Sequence, residues 1–167
     1  MKSTLFNIML GCLAALSLAG CGNSSKGEGH SSSSSVSGLL NPGSDAVTLS
    51  GMMINTIIRD QYTIKLERTG KCTINVMGVT YSGQWQDLTE SSDCFKISFV
   101  GPFEGGISGR SLNPADSVEL HLPEGGVSNY RDGMPVSDAW FSVEPFTYTL
   151  GYSDYTADKD NITVTPE

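Results

Sequence analysis

The chain has 167 residues and a formal net charge of -8, with 18 acidic side chains against 10 basic ones. That balance lacks the basic footprint a nucleic-acid binder needs, so nucleic acid is excluded as a partner. The length suits one domain of ordinary size once the first forty or so residues are set apart, and two domains would each be too small to hold a core without extra staples.

The first elements are not globular. Lys2 supplies a short positive region, Leu5 to Leu18 is apolar apart from Asn7, Gly11 and Ser17, and the small residues Ala19 and Gly20 lead into Cys21. Charge, a short apolar run and a small-residue cleavage site are the layout of a secretory signal. The run falls short of the roughly 20 apolar residues needed to span a bilayer. Leu18-Ala19-Gly20-Cys21 resembles the lipobox of bacterial lipoproteins. The resemblance implies that Cys21 Sγ receives a diacylglyceryl group, that the leader (1–20) is cut before it, and that the new amine is acylated. Each buried methylene contributes about 0.8 kcal/mol and two chains already anchor stably, so three would hold the protein to the bilayer. Enteric-type sorting keeps lipoproteins with Asp after the cysteine in the inner membrane. In a Gram-negative host Gly22 therefore implies lipid anchoring at the outer membrane, facing either the periplasm or the cell surface.

Residues 21–42 read as the lipidated cysteine and a tether. The stretch NSSKGEGHSSSSSVSG, Asn23 to Gly38, is too polar to offset the entropy of ordering and is expected to be disordered. A Gly/Ser chain of this length spans about 20–25 Å. His30 within it has no second ligand nearby and reads as solvated.

Residues 43–167 read as a single all-β domain. Val47 and Leu49 alternate with Ala46, Thr48 and Ser50. The stretch Met52 to Arg59 has some helical spacing, but its β-branched content favours strand. Tyr62, Ile64 and Leu66 form one alternating set. Cys72, Ile74 and Val76 form a second, Val79, Tyr81, Gly83 and Trp85 a third, and Phe95, Ile97 and Phe99 a fourth. Short turns between these four predict an antiparallel meander. Further on, Val118, Leu120 and Leu122 alternate with Glu119 and His121. A long Gly/Pro-rich loop is expected from Glu124 to Asp138. Ala139, Phe141 and Val143 then oppose Trp140, and Phe146, Tyr148 and Leu150 lead to a short terminal strand at Ile162 and Val164. Many short strands without a convincing helix predict a small antiparallel β-sandwich or barrel.

Cys12 lies in the leader and Cys21 carries lipid, which leaves Cys72 and Cys94. In an oxidising compartment these two are expected to form one disulfide, with about 3 kcal/mol of stabilisation from loop entropy, and the competing reading is a pair of buried free thiols. In a flat meander their Cα atoms would stand roughly 9–10 Å apart, beyond bridging distance, so a bridge would require the sheet to curl, the fourth segment to cross to a second sheet, or Cys94 to sit in the loop.

Candidate chemistry is sparse. His121, the one histidine of the domain, is expected on an outward strand face, and no nucleophile-elbow motif accompanies it. The residues name no catalytic group and no cofactor, and a non-enzymatic protein is expected. Two cysteines without clustered histidines do not predict a zinc site. The acidic stretch Asp154, Asp158 and Asp160 has calcium-type oxygen ligands but not the spacing of a calcium loop, and Lys159 sits within it. Aromatic side chains combine contact area with low entropy cost and mark interfaces. Trp140 is expected outside and Tyr130 in the long loop, which makes them the candidate ligand-binding pair, while Trp85 shares the core phase of Val79 and Tyr81. Gly83-Gln84-Trp85 is similar to the Gly-x-Trp of lipocalins, which there begins the first barrel strand. Small lipoprotein inhibitors of lysozyme are comparable disulfide-stapled barrels, although none of their sequence motifs occurs in this chain. The expected function is a membrane-anchored binding domain for an envelope protein or a glycan. The alternative is an inhibitor of a cell-wall-degrading enzyme, and a small hydrolase follows behind it.

Overall fold

The computed structural model describes residues 38–40, 43–56, 58–90 and 94–167. The expected signal segment (1–20), Cys21 and most of the expected tether lie outside these. Among the described residues no helix is long and apolar enough to cross a membrane.

The chain is all-β, and the sandwich-or-barrel expectation resolves to a closed antiparallel barrel of eight strands. Four strands follow one another as the meander: β2 (Arg59–Glu67), β3 (Lys71–Val76), β4 (Val79–Asp87) and β5 (Phe95–Gly105). On one side of it stands β1 (Ala46–Ile54), paired with β2 along its whole length. On the other side β5 pairs with β7 (Ser117–His121), β7 with β8 (Val136–Phe141), and β8 with β11 (Ile162–Pro166). Closure comes from β11 pairing with the first half of β1, Val47 opposite Pro166 through Ser50 opposite Thr163.

Beyond Gly51 the same edge of β1 changes partner. Met53 and Ile54 pair with Ala157 and Thr156 of β10 (Ser153–Ala157), which continues to β9 (Phe146–Leu150) and β6 (Arg110–Pro114). This three-stranded extension lays aromatic rings against one end of the barrel: Phe146 meets Tyr62 edge-on at 5.0 Å and Tyr148 meets Tyr81 at 6.2 Å. The opposite end is closed by α1 (Gly126–Arg131), which packs near β8 and β11. Its Tyr130 ring lies 5.8 Å from that of Phe95.

Alternation explains the barrel wall. In β2 and β3 the buried positions are Tyr62, Ile64, Leu66, Cys72, Ile74 and Val76, with polar residues between them. Side chains of an eight-stranded barrel can just fill its interior, and here the buried residues of all eight strands form one continuous cluster. Two glycines make room for aromatic rings, buried Tyr62 and partly buried Phe103. A Cβ on Gly51 would stand 2.5 Å from the Tyr62 hydroxyl, and a Cβ on Gly83 would stand 2.8 Å from the Phe103 ring. Gly83 also sits at the bulge where the β4–β5 register jumps, from Ser82 opposite Glu104 to Gln84 opposite Val100.

Several expectations need correcting. The tether was expected to run to residue 42, yet Leu39 is fully buried in the core. Its amide donates to Asp87 Oδ2 at 2.6 Å and its carbonyl accepts from the Tyr130 hydroxyl. A leucine at the end of a polar stretch has a hydrophobic reason to dock. The Gly/Pro-rich stretch from Glu124 to Asp138 contains α1 and the start of β8 rather than a single loop. Strands β6 and β10 carry too little apolar alternation to be read in advance, and they form because β9 and β1 offer them edges to pair with.

Candidate functional site

The expected Cys72–Cys94 disulfide is absent, and both residues are free thiols. The meander is real, but β4 and β5 run on past the end of β3. Cys72 faces Gly83 on β4, whose neighbour Gln84 faces Val100 of β5, six residues from Cys94. At about 3.3 Å per residue this offset alone amounts to roughly 20 Å, in addition to the intervening strand. Cys72 points into the core, where burial pushes its thiol up to about 12. Cys94 is half-buried, just ahead of β5.

The two candidate aromatics also part company. Tyr130 is fully buried, so it cannot belong to a surface platform. Its hydroxyl pins Leu39, and burial raises its ionisation well above the ordinary phenol range. Trp140 is 39% exposed on the outer face of β8. Its indole stacks on the imidazole of His121, with centroids 5.3 Å apart and planes only 8° from parallel. Trp85 is buried and donates its indole N–H to the carbonyl of Glu67 at 2.8 Å.

The outer face around Trp140 follows from register. Phe95 lies opposite Leu120, so the same pairing continued by one residue brings Cys94 beside His121. His121 in turn lies opposite Trp140 on β8. Phe95, Leu120 and Phe141 point inward, which turns Cys94, His121 and Trp140 outward as one row across three strands. Glu119, two residues before His121, shares that face and lies opposite Lys96. Directly opposed side chains on one sheet face stand about 4.5–5.5 Å apart, close enough to act together. The ligating atoms of Cys94, Glu119 and His121 all lie within 4.8 Å of one another, with His121 Nε2 3.8 Å from Glu119 Oε2. Backbone contacts hold the carboxylate's strand in place: the Glu119 amide donates to Ser142 Oγ at 3.1 Å, and its carbonyl accepts from the Ser142 amide at 2.8 Å.

No sequence motif marks this cluster. His121 and Glu119 share β7 and can be seen as neighbours on one strand face, but Cys94 lies more than twenty residues earlier, just ahead of β5. Only the β5–β7 register brings Cys94 to them.

The acidic stretch does not converge. Asp154 Oδ1 accepts from the Thr149 hydroxyl across the β9–β10 pair, Asp158 Oδ1 accepts from the Asp160 amide in a tight turn, and Asp160 faces Lys159 at 3.3 Å. Among the described residues the only cluster of three or more potential metal ligands is Cys94, Glu119 and His121, so the calcium candidate at Asp154, Asp158 and Asp160 is not supported. A separate, polar groove of about 620 Å³ lies at the β4–β5 bulge, lined by Lys71, Ser82, Gln84, Pro102 and Glu104 among others.

Comparison with known proteins adds no relative: no family model, no curated protein and no solved structure matches the chain.

Proposed function

We propose that this protein is a lipid-anchored, non-enzymatic binding module of a bacterial outer membrane. Acylated Cys21 holds it to the bilayer, and the tether carries a rigid barrel that engages an envelope protein or a glycan through its outer face. The observation that carries this reading is the stacked Trp140–His121 pair, an aromatic surface exposed on regular strands while the barrel interior is filled by its own side chains. Flat aromatic surfaces suit the faces of sugar rings and the apolar anchors of protein partners. Strand-borne side chains are held more firmly than loop residues, which lowers the entropy lost on binding.

The test is a fluorescence titration of the full chain with soluble peptidoglycan fragments and surface glycans. Trp140 should report binding and buried Trp85 should not, so Trp140→Ala should abolish both the signal and the affinity. Titrations that leave the emission unchanged, or that are unaltered by Trp140→Ala, overturn the glycan form of the reading. Tight, salt-sensitive inhibition of a basic lysozyme would instead favour the inhibitor, because the chain is acidic. Intact mass of the membrane-extracted protein tests the anchor. It should begin at acylated Cys21, and a mass retaining Met1 removes the anchor from the proposal.

A further inference from the structure

We propose that Cys94, Glu119 and His121 form a binding site for a borderline-soft divalent cation, of which zinc is the best match. The inference does not depend on the binding function above.

The donor set is the first reason. It offers one thiolate sulfur, one imidazole nitrogen and one carboxylate oxygen, and zinc takes all three types. Calcium and magnesium take oxygen ligands and would leave sulfur and nitrogen unused. The charges also match, since a thiolate and a carboxylate with neutral imidazole balance the two positive charges of the ion.

Geometry is the second reason. Zinc bonds of about 2.0–2.3 Å place neighbouring ligand atoms of a tetrahedron roughly 3.3–3.8 Å apart. The His121 Nε2 to Glu119 Oε2 distance is already 3.8 Å, and the full set lies within 4.8 Å. About 1 Å of side-chain rotation gathers all three, with no movement of the strands that carry Glu119 and His121. Cys94 is a free thiol, so its sulfur is available.

The third reason is preorganisation. The indole of Trp140 lies flat on the His121 ring and sets its plane, and a ligand held in orientation by its surroundings loses less freedom on metal binding. All three ligands are half-buried, which puts the site at the surface but partly shielded. Lys96 stands opposite Glu119 on the neighbouring strand. With three protein ligands the fourth coordination position is left to water or to a group on a partner. Binding releases the Cys94 thiol proton to solvent as the sulfur–metal bond forms.

The experiment is a cobalt(II) and zinc titration of the full chain in detergent micelles, with a metal-inert phosphine reductant keeping the thiols reduced. Cobalt should produce a thiolate-to-metal charge-transfer band together with the intense visible bands of tetrahedral coordination, and zinc should bleach both. Paramagnetic cobalt at His121 should also quench Trp140. Cys94→Ser and His121→Gln should each remove the bands and weaken zinc binding by more than roughly tenfold, with an unchanged circular-dichroism spectrum showing that the barrel is intact. Glu119→Gln should weaken binding less. Trp140→Phe should keep the bands and lose the quenching. Bands that survive in Cys94→Ser would place the metal on other thiols and overturn the site, as would a wild-type zinc Kd weaker than roughly 0.1 mM. If either variant loses its fold, Cys94→Ala and His121→Asn provide the same comparison, and retained bands in a folded variant overturn the site in the same way.

Discussion

The barrel carries two cysteines and two tryptophans, one of each on either side of its wall, and the pairs behave as opposites. Cys72 and Trp85 face inward from β3 and β4. There the thiol is driven towards its neutral form by burial, and the indole N–H is committed to the Glu67 carbonyl. Cys94 and Trp140 face outward around β7 and gather about His121. The same residue types therefore serve packing on one face and chemistry on the other. A β-strand assigns them by parity alone, because successive side chains point to opposite faces.

The sharpest way to break this contrast is thiol labelling. In the folded chain with Cys12 and Cys21 masked or replaced, Cys94 should react with a disulfide reagent at the rate of an accessible thiol. Cys72 should wait for opening of the barrel, with protection of about a thousandfold or more. Equal rates would mean that the interior is not sealed. The same burial predicts an alkaline loss of stability. Cys72 keeps its proton in the folded state up to about 12, whereas the unfolded thiol ionises nearer 8.5, so unfolding releases a proton in that window and stability falls as pH rises through it.

Next comes the tryptophan pair. Trp85→Ala should cost about 3–5 kcal/mol, the usual range for emptying a buried aromatic site. Trp140→Ala should cost less than about 1 kcal/mol, since it removes one stacking contact at the surface. Urea denaturation of both variants measures the difference, and comparable losses would place Trp140 in the core.

Leu39 tests where the inner region begins. Its burial predicts that Leu39→Ala costs about 2–4 kcal/mol although it follows a polar stretch of sequence. Tyr130→Phe should cost about 1 kcal/mol through loss of the hydroxyl bond to the Leu39 carbonyl. A neutral Leu39→Ala would show that the barrel end closes without the strap.

The smallest effect belongs to the outer surface, at the β11–β1–β2 seam. Glu167 accepts from Lys65 and from the Thr48 hydroxyl, and the hydrogen bond from Lys65 is the largest cause that holds its carboxyl below the usual range. A lowered carboxyl contributes stability above its unfolded value and loses it as pH falls through the folded one. Lys65 is raised by the same hydrogen bond, and its share is present below the ordinary lysine value and lost as pH climbs past it. Glu167→Gln should flatten the acid side of the stability profile slightly, measured as the thermal midpoint between pH 3 and 6. An unchanged profile would show that the exposed pair contributes nothing.

Much of the inner region could be read from residue order. The alternations of Tyr62–Leu66, Cys72–Val76, Val79–Trp85 and Phe95–Phe99 are local, and the short turns between them leave hairpins as the simple connection. Trp85 could be placed in the core and Trp140 outside it by the same parity. Residue order is silent wherever a partner is remote. Tyr130 sat in a Gly-rich stretch and looked exposed, but a short helix turns it onto Phe95 and Leu39. Cys94 looked level with Cys72 because strand lengths beyond the pairing region were not legible.

The amino-acid order by itself determined the all-β class, the meander, and which side chains of each strand face the same way, because these rest on the two-residue period of a strand and on turn chemistry within a few residues. Tertiary structure alone decided closure into a barrel through β11 and β1, the docking of Leu39, the separation of the two thiols, and the meeting of Cys94 with Glu119 and His121. Each of those is a matter of register between segments far apart in the chain, and register is set by how the whole core packs rather than by any local run of residues.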